Sequence, residues 1–156
     1  MKKELPKIDI SEDFVIGSNA DPNILNLYTS YPCRLKAEVF VLCMGGSIEA
    51  SINLSDYTIK KYDFVTLSPA SIIQINKIEG DLKLYFMVFS SDFINGISKT
   101  KAIIDLIYIT KNHPVLSLPQ EFANIYEEFF LLMMKVYYKK RSPYNPEILK
   151  CMLLSI

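Results

Sequence analysis

Residues 34–93 read RLKAEVFVLCMGGSIEASINLSDYTIKKYDFVTLSPASIIQINKIEGDLKLYFMVFSSDF. Short β-type runs recur there about every ten residues with turn formers between them, the pattern of a sandwich or barrel. Lys36 to Met44 is apolar at nearly every position after Glu38, which predicts a strand covered on both faces. Gly45-Gly46 reads as a hairpin turn. From Ser47 the sequence alternates, with Ile48, Ala50, Ile52 and Leu54 on one face and polar residues on the other. Ser55-Asp56 is expected to turn the chain. Short strands follow at 57–60 and 64–67, with Lys61 to Asp63 as the turn between them. Ser68-Pro69 breaks the ladder, because proline has no N–H to give. Ile72 to Ile78 alternates again, Glu79-Gly80-Asp81 reads as a turn, and Leu82 to Phe89 is the last strand, with Leu84, Phe86 and Val88 on one face. About seven or eight antiparallel strands in sequence predict a double-sheet roll or small barrel.

Outward from this block the signals change. Residues 1–14 alternate charged and aliphatic residues around Pro6 and fit an arm or edge strand. Residues 15–33 hold the turn formers Gly17, Ser18, Asn19 and Asp21-Pro22, then a short strand-like run at 24–28. After Ser90 the apolar period lengthens to that of helices, giving one or two short pieces from Ser91-Asp92 up to Asn112. Val115 to Leu118 is extended, and Pro119 suits the first turn of a helix from Gln120 to about Lys140. Phe122, Ile125, Tyr126, Phe129, Leu132, Met133, Val136 and Tyr137 supply its stripe, while Phe130, Leu131 and Met134 lie off it. A second helix is predicted from Pro146, with Ile148, Leu149, Met152, Leu153 and Ile156 apolar and no stop signal after it, as in a fragment of a longer chain.

Composition narrows the class. The 156 residues suffice for one domain with its own core, and half of them are hydrophobic. Formal net charge is zero, a balance that gives no support for the basic face of a nucleic-acid binder. No apolar run approaches a bilayer span of about 20 residues, and the lysines at the start precede no apolar leader segment. Three cysteines without a CxxC spacing fit reduced, buried thiols in a cytoplasm.

The reactive residues are sparse. The single histidine, His113, sits beside Pro114, and the strand block holds one cysteine after position 34, Cys43, so no three-ligand metal site can be assembled there. With no GxSxG and no second histidine, nucleophilic catalysis has no base to lean on. Glu38, Glu49, Asp56 and Asp63 read as surface or turn carboxylates rather than an acid–base pair. No catalytic residue, metal or cofactor is expected. Ligand binding is the better fit: Arg34, Tyr57, Tyr62, Gln74 and Tyr85 place polar or amphipathic groups among apolar ones. The excess apolar surface of the two C-terminal helices predicts self-association through Phe130, Met134, Leu149, Met152, Leu153 and Ile156.

Tyr31-Pro32-Cys33-Arg34, the run Phe40 to Gly46, Ile52 to Leu54, Tyr57, Ser68-Pro69, Ile72 and Gln74 together resemble the N-terminal regulatory domain of AraC-type transcriptional regulators. The resemblance extends over residues 10–156. It implies a mainly β fold with C-terminal helices: a cupin-like double-stranded β-helix (jelly-roll barrel) with an N-terminal arm over 1–91, and a helical dimerisation segment of the same domain over 92–156. It further implies a cytoplasmic homodimer that binds a small effector, a sugar or metabolite, and reaches DNA only through a C-terminal helix-turn-helix domain that these residues do not contain. Two other readings stand beside it: a metal-independent small cupin enzyme of isomerase or epimerase type, and an interaction protein with no pocket.

Overall fold

The computed structural model describes residues 7–8, 14–18, 32–90 and 113–138. The strand expected at 24–28, the helical pieces after Ser90 and the second helix from Pro146 lie outside them.

Two long strands form the centre. β4 (Ala37–Ile52) and β7 (Ile72–Ser90) pair antiparallel along most of their lengths, from Ala37↔Ser90 to Ile52↔Ile73. Six shorter strands join them: β1 (Lys7–Ile8), β2 (Phe14–Ser18), β3 (Cys33–Leu35), β5 (Ser55–Ile59), β6 (Asp63–Leu67) and β8 (Val115–Ser117). The sheet order is β1-β3-β7-β4-β6-β8, with β2 also on β7 and β5 also on β4. Among the described strands only β1 and β3 run parallel. The sheet does not close, and with its packed helix the whole is a cupin-like β fold.

Gly45-Gly46 and Glu79-Gly80-Asp81, which read as turns in the sequence, do not reverse the chain. They lie opposite one another inside β4 and β7, where the register slips between Cys43 and Gly45 and again between Gly45 and Ser47. Gly46 and Gly80 both have φ of 72°, a conformation costly for side chains with a Cβ. A Cβ on Gly46 would stand 2.9 Å from Leu82 Cα and 3.0 Å from the Glu79 carbonyl oxygen. The slip inverts the strand's facing. Before it, odd residues Val39, Val41 and Cys43 face one core; after it, even residues Ile48, Ala50 and Ile52 face the same core. β7 inverts in step, from Ile73 and Ile75 to Leu82, Leu84 and Phe86. The paired strands thus bend over their own side chains. Leu35, Ile59, Val65 and Leu67 complete this inner core.

The true hairpin turn is Asn53-Leu54, between Ile52 and its partner Ser55. Both residues have positive φ, 50° and 70°, as a two-residue type I′ turn requires. Leu54, expected on the buried face, is 93% exposed. Asn53 is held by its backbone N–H donating to the Ile72 carbonyl and its Oδ1 accepting from the Ile72 N–H. Ser55-Asp56, expected as the turn, begins β5. Gly17, expected in a turn, pairs with Phe86 in a strand, and a Cβ there would stand 2.8 Å from the Phe86 ring.

The helix α1 (Gln120–Tyr138) matches its expected span within a turn. The Ala123 N–H donates to the Pro119 carbonyl, so proline opens the first turn. Ala123, Phe130 and Met133 are fully buried, and Tyr126 and Tyr137 pack with them, on the β4–β7–β2 face formed by Leu42, Met44, Tyr85, Met87, Phe89 and Ile16. Burying a side chain the size of Phe130 contributes about 2–3 kcal/mol. Tyr85, Met87 and Phe89 face α1 while Leu84 and Phe86 face the inner core, so β7 is covered on both sides. No helix among the described residues is long and apolar enough to cross a membrane.

Candidate functional site

The five residues singled out for binding divide among three places. Arg34 is exposed on β3 between buried Cys33 and Leu35, and it pairs with Ile72, two residues before half-buried Gln74. These two lie on the outer face of β3 and β7. Tyr57 pairs with Ala50 on the edge strand β5 and packs partly on the inner core. With Glu49, Ala50, Asp56, Thr58 and Asn76 it lines a shallow recess of about 210 Å³. Two of its lining side chains are linked through Ser51, whose Oγ donates to Asp56 Oδ1 at 2.7 Å and accepts from Asn76 Nδ2 at 3.3 Å.

Tyr62 and Tyr85 stand on the helix side. Tyr62 has φ of 76°, and its ring lies 5.0 Å from Lys61 Nζ. Its N–H donates to the Cys43 carbonyl and its carbonyl accepts from the Leu118 N–H, tying the bend in β4 to the segment before α1. Tyr85 is 5% exposed beneath α1, with its ring 5.8 Å from Phe130. Its hydroxyl donates to Glu127 Oε2 at 3.0 Å, and Lys83 Nζ lies 3.4 Å from the same oxygen. Burial, and then the Glu127 carboxylate, push the Tyr85 phenol above its usual range.

Two of the carboxylates read as surface groups are buried. Asp63 accepts from the Lys60 N–H and from the Ser117 hydroxyl, both at 2.9 Å, and so joins the turn before β6 to β8. Glu38 is 1% exposed, and its Oε1 has no hydrogen-bond partner. Desolvation raises its carboxyl to about 7. Ser68, also buried, has an unpartnered Oγ. One signal for Glu38 was in the sequence: a carboxylate at the start of an apolar run predicted to be covered on both faces. Cys33 and Cys43 are buried thiols outside any disulfide, and desolvation raises both. No group of three His, Cys, Asp or Glu side chains suited to a metal comes together among the described residues.

The helix separates the residues expected at a dimer interface. Phe130 is 1% exposed and packs on its own strand, and Met134 is partly buried. Leu149, Met152, Leu153 and Ile156 lie outside the described residues. The apolar surface α1 does expose comes from Phe122, Ile125 and Leu132, each more than half exposed, with Leu131 on the opposite side. Phe122, Ile125, Phe129, Leu132 and Val136 follow alternating three- and four-residue spacing; Phe129 and Val136 are partly buried against the roll, which leaves Phe122, Ile125 and Leu132 as its exposed members. The wide apolar stripe read in the sequence is two neighbouring seams, one on the sheet and one facing outward.

No family model and no curated protein matches the chain. Among solved structures, the chain is similar to ToxT K231A from Vibrio cholerae strain SCE256, at 11% identity and a TM-score of 0.47, over 91% of this chain and 53% of that one. It is also similar to ToxT from Vibrio cholerae in a second crystal form, at 12% identity and a TM-score of 0.45, over 92% and 54%. ToxT is an AraC-family regulator. A putative mannose-6-phosphate isomerase from Ralstonia eutropha matches at 11% identity and a TM-score of 0.34, over 49% of this chain and 69% of that one. The chain spans about half the length of the ToxT chains it matches.

Proposed function

We propose that the chain is the ligand-sensing and dimerisation part of a cytoplasmic AraC-type transcriptional regulator. A small effector bound by the roll shifts the population of arm and helix arrangements, and two copies joined through their helices carry that shift to attached DNA-binding domains. The observation that carries this reading is the double character of α1. One seam fixes the helix to the roll through Phe130 and Met133, and the adjacent seam of Phe122, Ile125 and Leu132 remains available to a second helix. The Tyr85–Glu127 hydrogen bond supplies a polar link between the roll and that helix. The sequence resemblance of the strand block supports the same reading.

A fusion tests it. The chain is joined to a heterologous DNA-binding headpiece that represses a reporter only as a dimer. Repression that changes when a small metabolite is supplied is expected. A folded, expressed fusion that never represses contradicts the reading.

A further inference from the structure

Glu38 and Ser68 carry the only buried side-chain oxygens without a hydrogen-bond partner among the described residues. The β4–β6 ladder ends at Val39↔Leu67, so Glu38 and Ser68 each follow its last pair by one residue, and continuing the strand alternation by that step puts both toward the face of Phe40, Phe64 and Thr66. On its other side Glu38 pairs with Phe89. From there a row of rings runs toward α1: Phe89 to Phe40 at 5.2 Å, Phe40 to Phe64 at 5.8 Å, and Phe64 to Tyr126 at 5.6 Å. Phe40, Phe64 and Tyr126 are only half-buried. A carboxyl and a hydroxyl therefore stand at the end of an aromatic row that begins at fully buried Phe89 and continues through the half-buried Phe40, Phe64 and Tyr126.

Burying a carboxyl with an unmade hydrogen bond is costly, and such a group in a folded protein calls for a partner. An ionised carboxylate asks for a donor with positive charge, and neither ion pair among the described residues involves Glu38. An ammonium group has three donors, enough for the carboxylate and the Ser68 oxygen together. The faces of phenylalanine rings attract cations and hold an apolar tail equally well. An anionic ligand would meet like charge, and an apolar one would leave both oxygens unmet. We propose that Glu38 and Ser68, at the head of the Phe89–Phe40–Phe64–Tyr126 row, are the recognition end of a site for a small organic cation, an alkyl- or arylammonium. This names the ligand class of the sensing roll and rests on that reading.

Three probes of one shape and different charge test it in thermal unfolding: phenethylammonium, 2-phenylethanol and 3-phenylpropionate. Phenethylammonium alone is expected to raise Tm, by about 3 °C at tenfold excess over its Kd. Glu38→Gln, the neutral isostere, is expected to keep the circular dichroism spectrum of the native chain and lose the shift. Ser68→Ala is expected to weaken it several-fold. Equal shifts from all three probes, a shift retained in Glu38→Gln, or none with phenethylammonium at millimolar concentration overturns the site. A panel of sugars and carboxylic acids runs alongside. A shift from one of those that Glu38→Gln leaves intact removes the ammonium site and keeps the sensor. Phenethylammonium binding that Glu38→Gln abolishes, in a fusion that never represses, keeps the site and removes the sensor.

Discussion

The hydroxyl of Tyr85, on a central strand of the roll, donates to Glu127 of the helix at 3.0 Å. The contact spans the seam between roll and helix, and Lys83 Nζ meets the same carboxylate at 3.4 Å. Around it the packing is apolar: Phe130, Met133 and Ala123 against Leu42, Met87 and Phe89. Tyr85→Phe is expected to lower stability by about 0.5–1.5 kcal/mol, the net worth of one hydrogen bond, with the ring packing kept. Phe130→Ala removes the packing instead and is expected to cost about 3–5 kcal/mol. Urea unfolding of the two variants measures both, and a Tyr85→Phe loss as large as the Phe130→Ala loss contradicts this division.

Glu38 sets a pH dependence. Its carboxyl titrates near 7 in the folded chain and near 4.5 when free, so folding favours the protonated form. That contribution is full below about pH 4.5 and is lost as pH rises through 7, on the order of 3 kcal/mol across the window. Glu38→Gln keeps a neutral side chain at every pH. The stability difference between variant and native chain is expected to grow in the variant's favour from pH 5 to pH 8. Parallel stability curves over that range contradict a buried, unpartnered carboxyl.

The bend of the long strands has its own test. At Gly46 a Cβ meets backbone on the facing strand, whereas at Gly80 the nearest atom is 3.4 Å away. Both have positive φ. Gly80→Ala therefore bears chiefly the left-handed cost, about 1–2 kcal/mol. Gly46→Ala bears that and a clash, and is expected to lose at least about 1 kcal/mol more. Equal losses, measured by chemical unfolding, would argue against the close approach of β4 and β7 at this point.

Leu54 offers the opposite sign. It occupies the second place of a type I′ turn at φ 70° while 93% exposed, so its side chain contributes little packing. Leu54→Gly makes the favoured Asn-Gly pair and is expected to stabilise the chain by about 1 kcal/mol. A destabilised Leu54→Gly variant, read from its Tm, contradicts the turn.

These same positions show what the sequence could convey. Period-2 alternation in residues 47–52 and 72–75 marked true strands, and Pro119 marked the helix start to within a residue. Gly45-Gly46 and Glu79-Gly80-Asp81 misled, because a hairpin turn and a bulge ask for the same positive-φ glycine. Only the facing register distinguishes them. Asn53-Leu54 stayed hidden since leucine carries no turn signal. The helix stripe came out too broad for a related reason. Buried and exposed positions share one periodicity, and only the sheet beneath separates fully buried Ala123, Phe130 and Met133 from exposed Phe122, Ile125 and Leu132. The buried Glu38 was visible as a misplaced charge, but its position beside the end of the β4–β6 ladder depends on a strand pairing that sequence spacing does not reveal.

The outward seam of α1 bears most directly on the whole account. Light scattering on the native chain, and on Ile125→Glu with Leu132→Glu, measures mass in solution. Both residues are exposed, so the double variant is expected to fold. A native dimer that becomes a folded monomer in the variant is the expected result. A native chain that stays monomeric at high micromolar concentration, or a dimer that both glutamates leave unchanged, would contradict the assignment of this helix as the joining face.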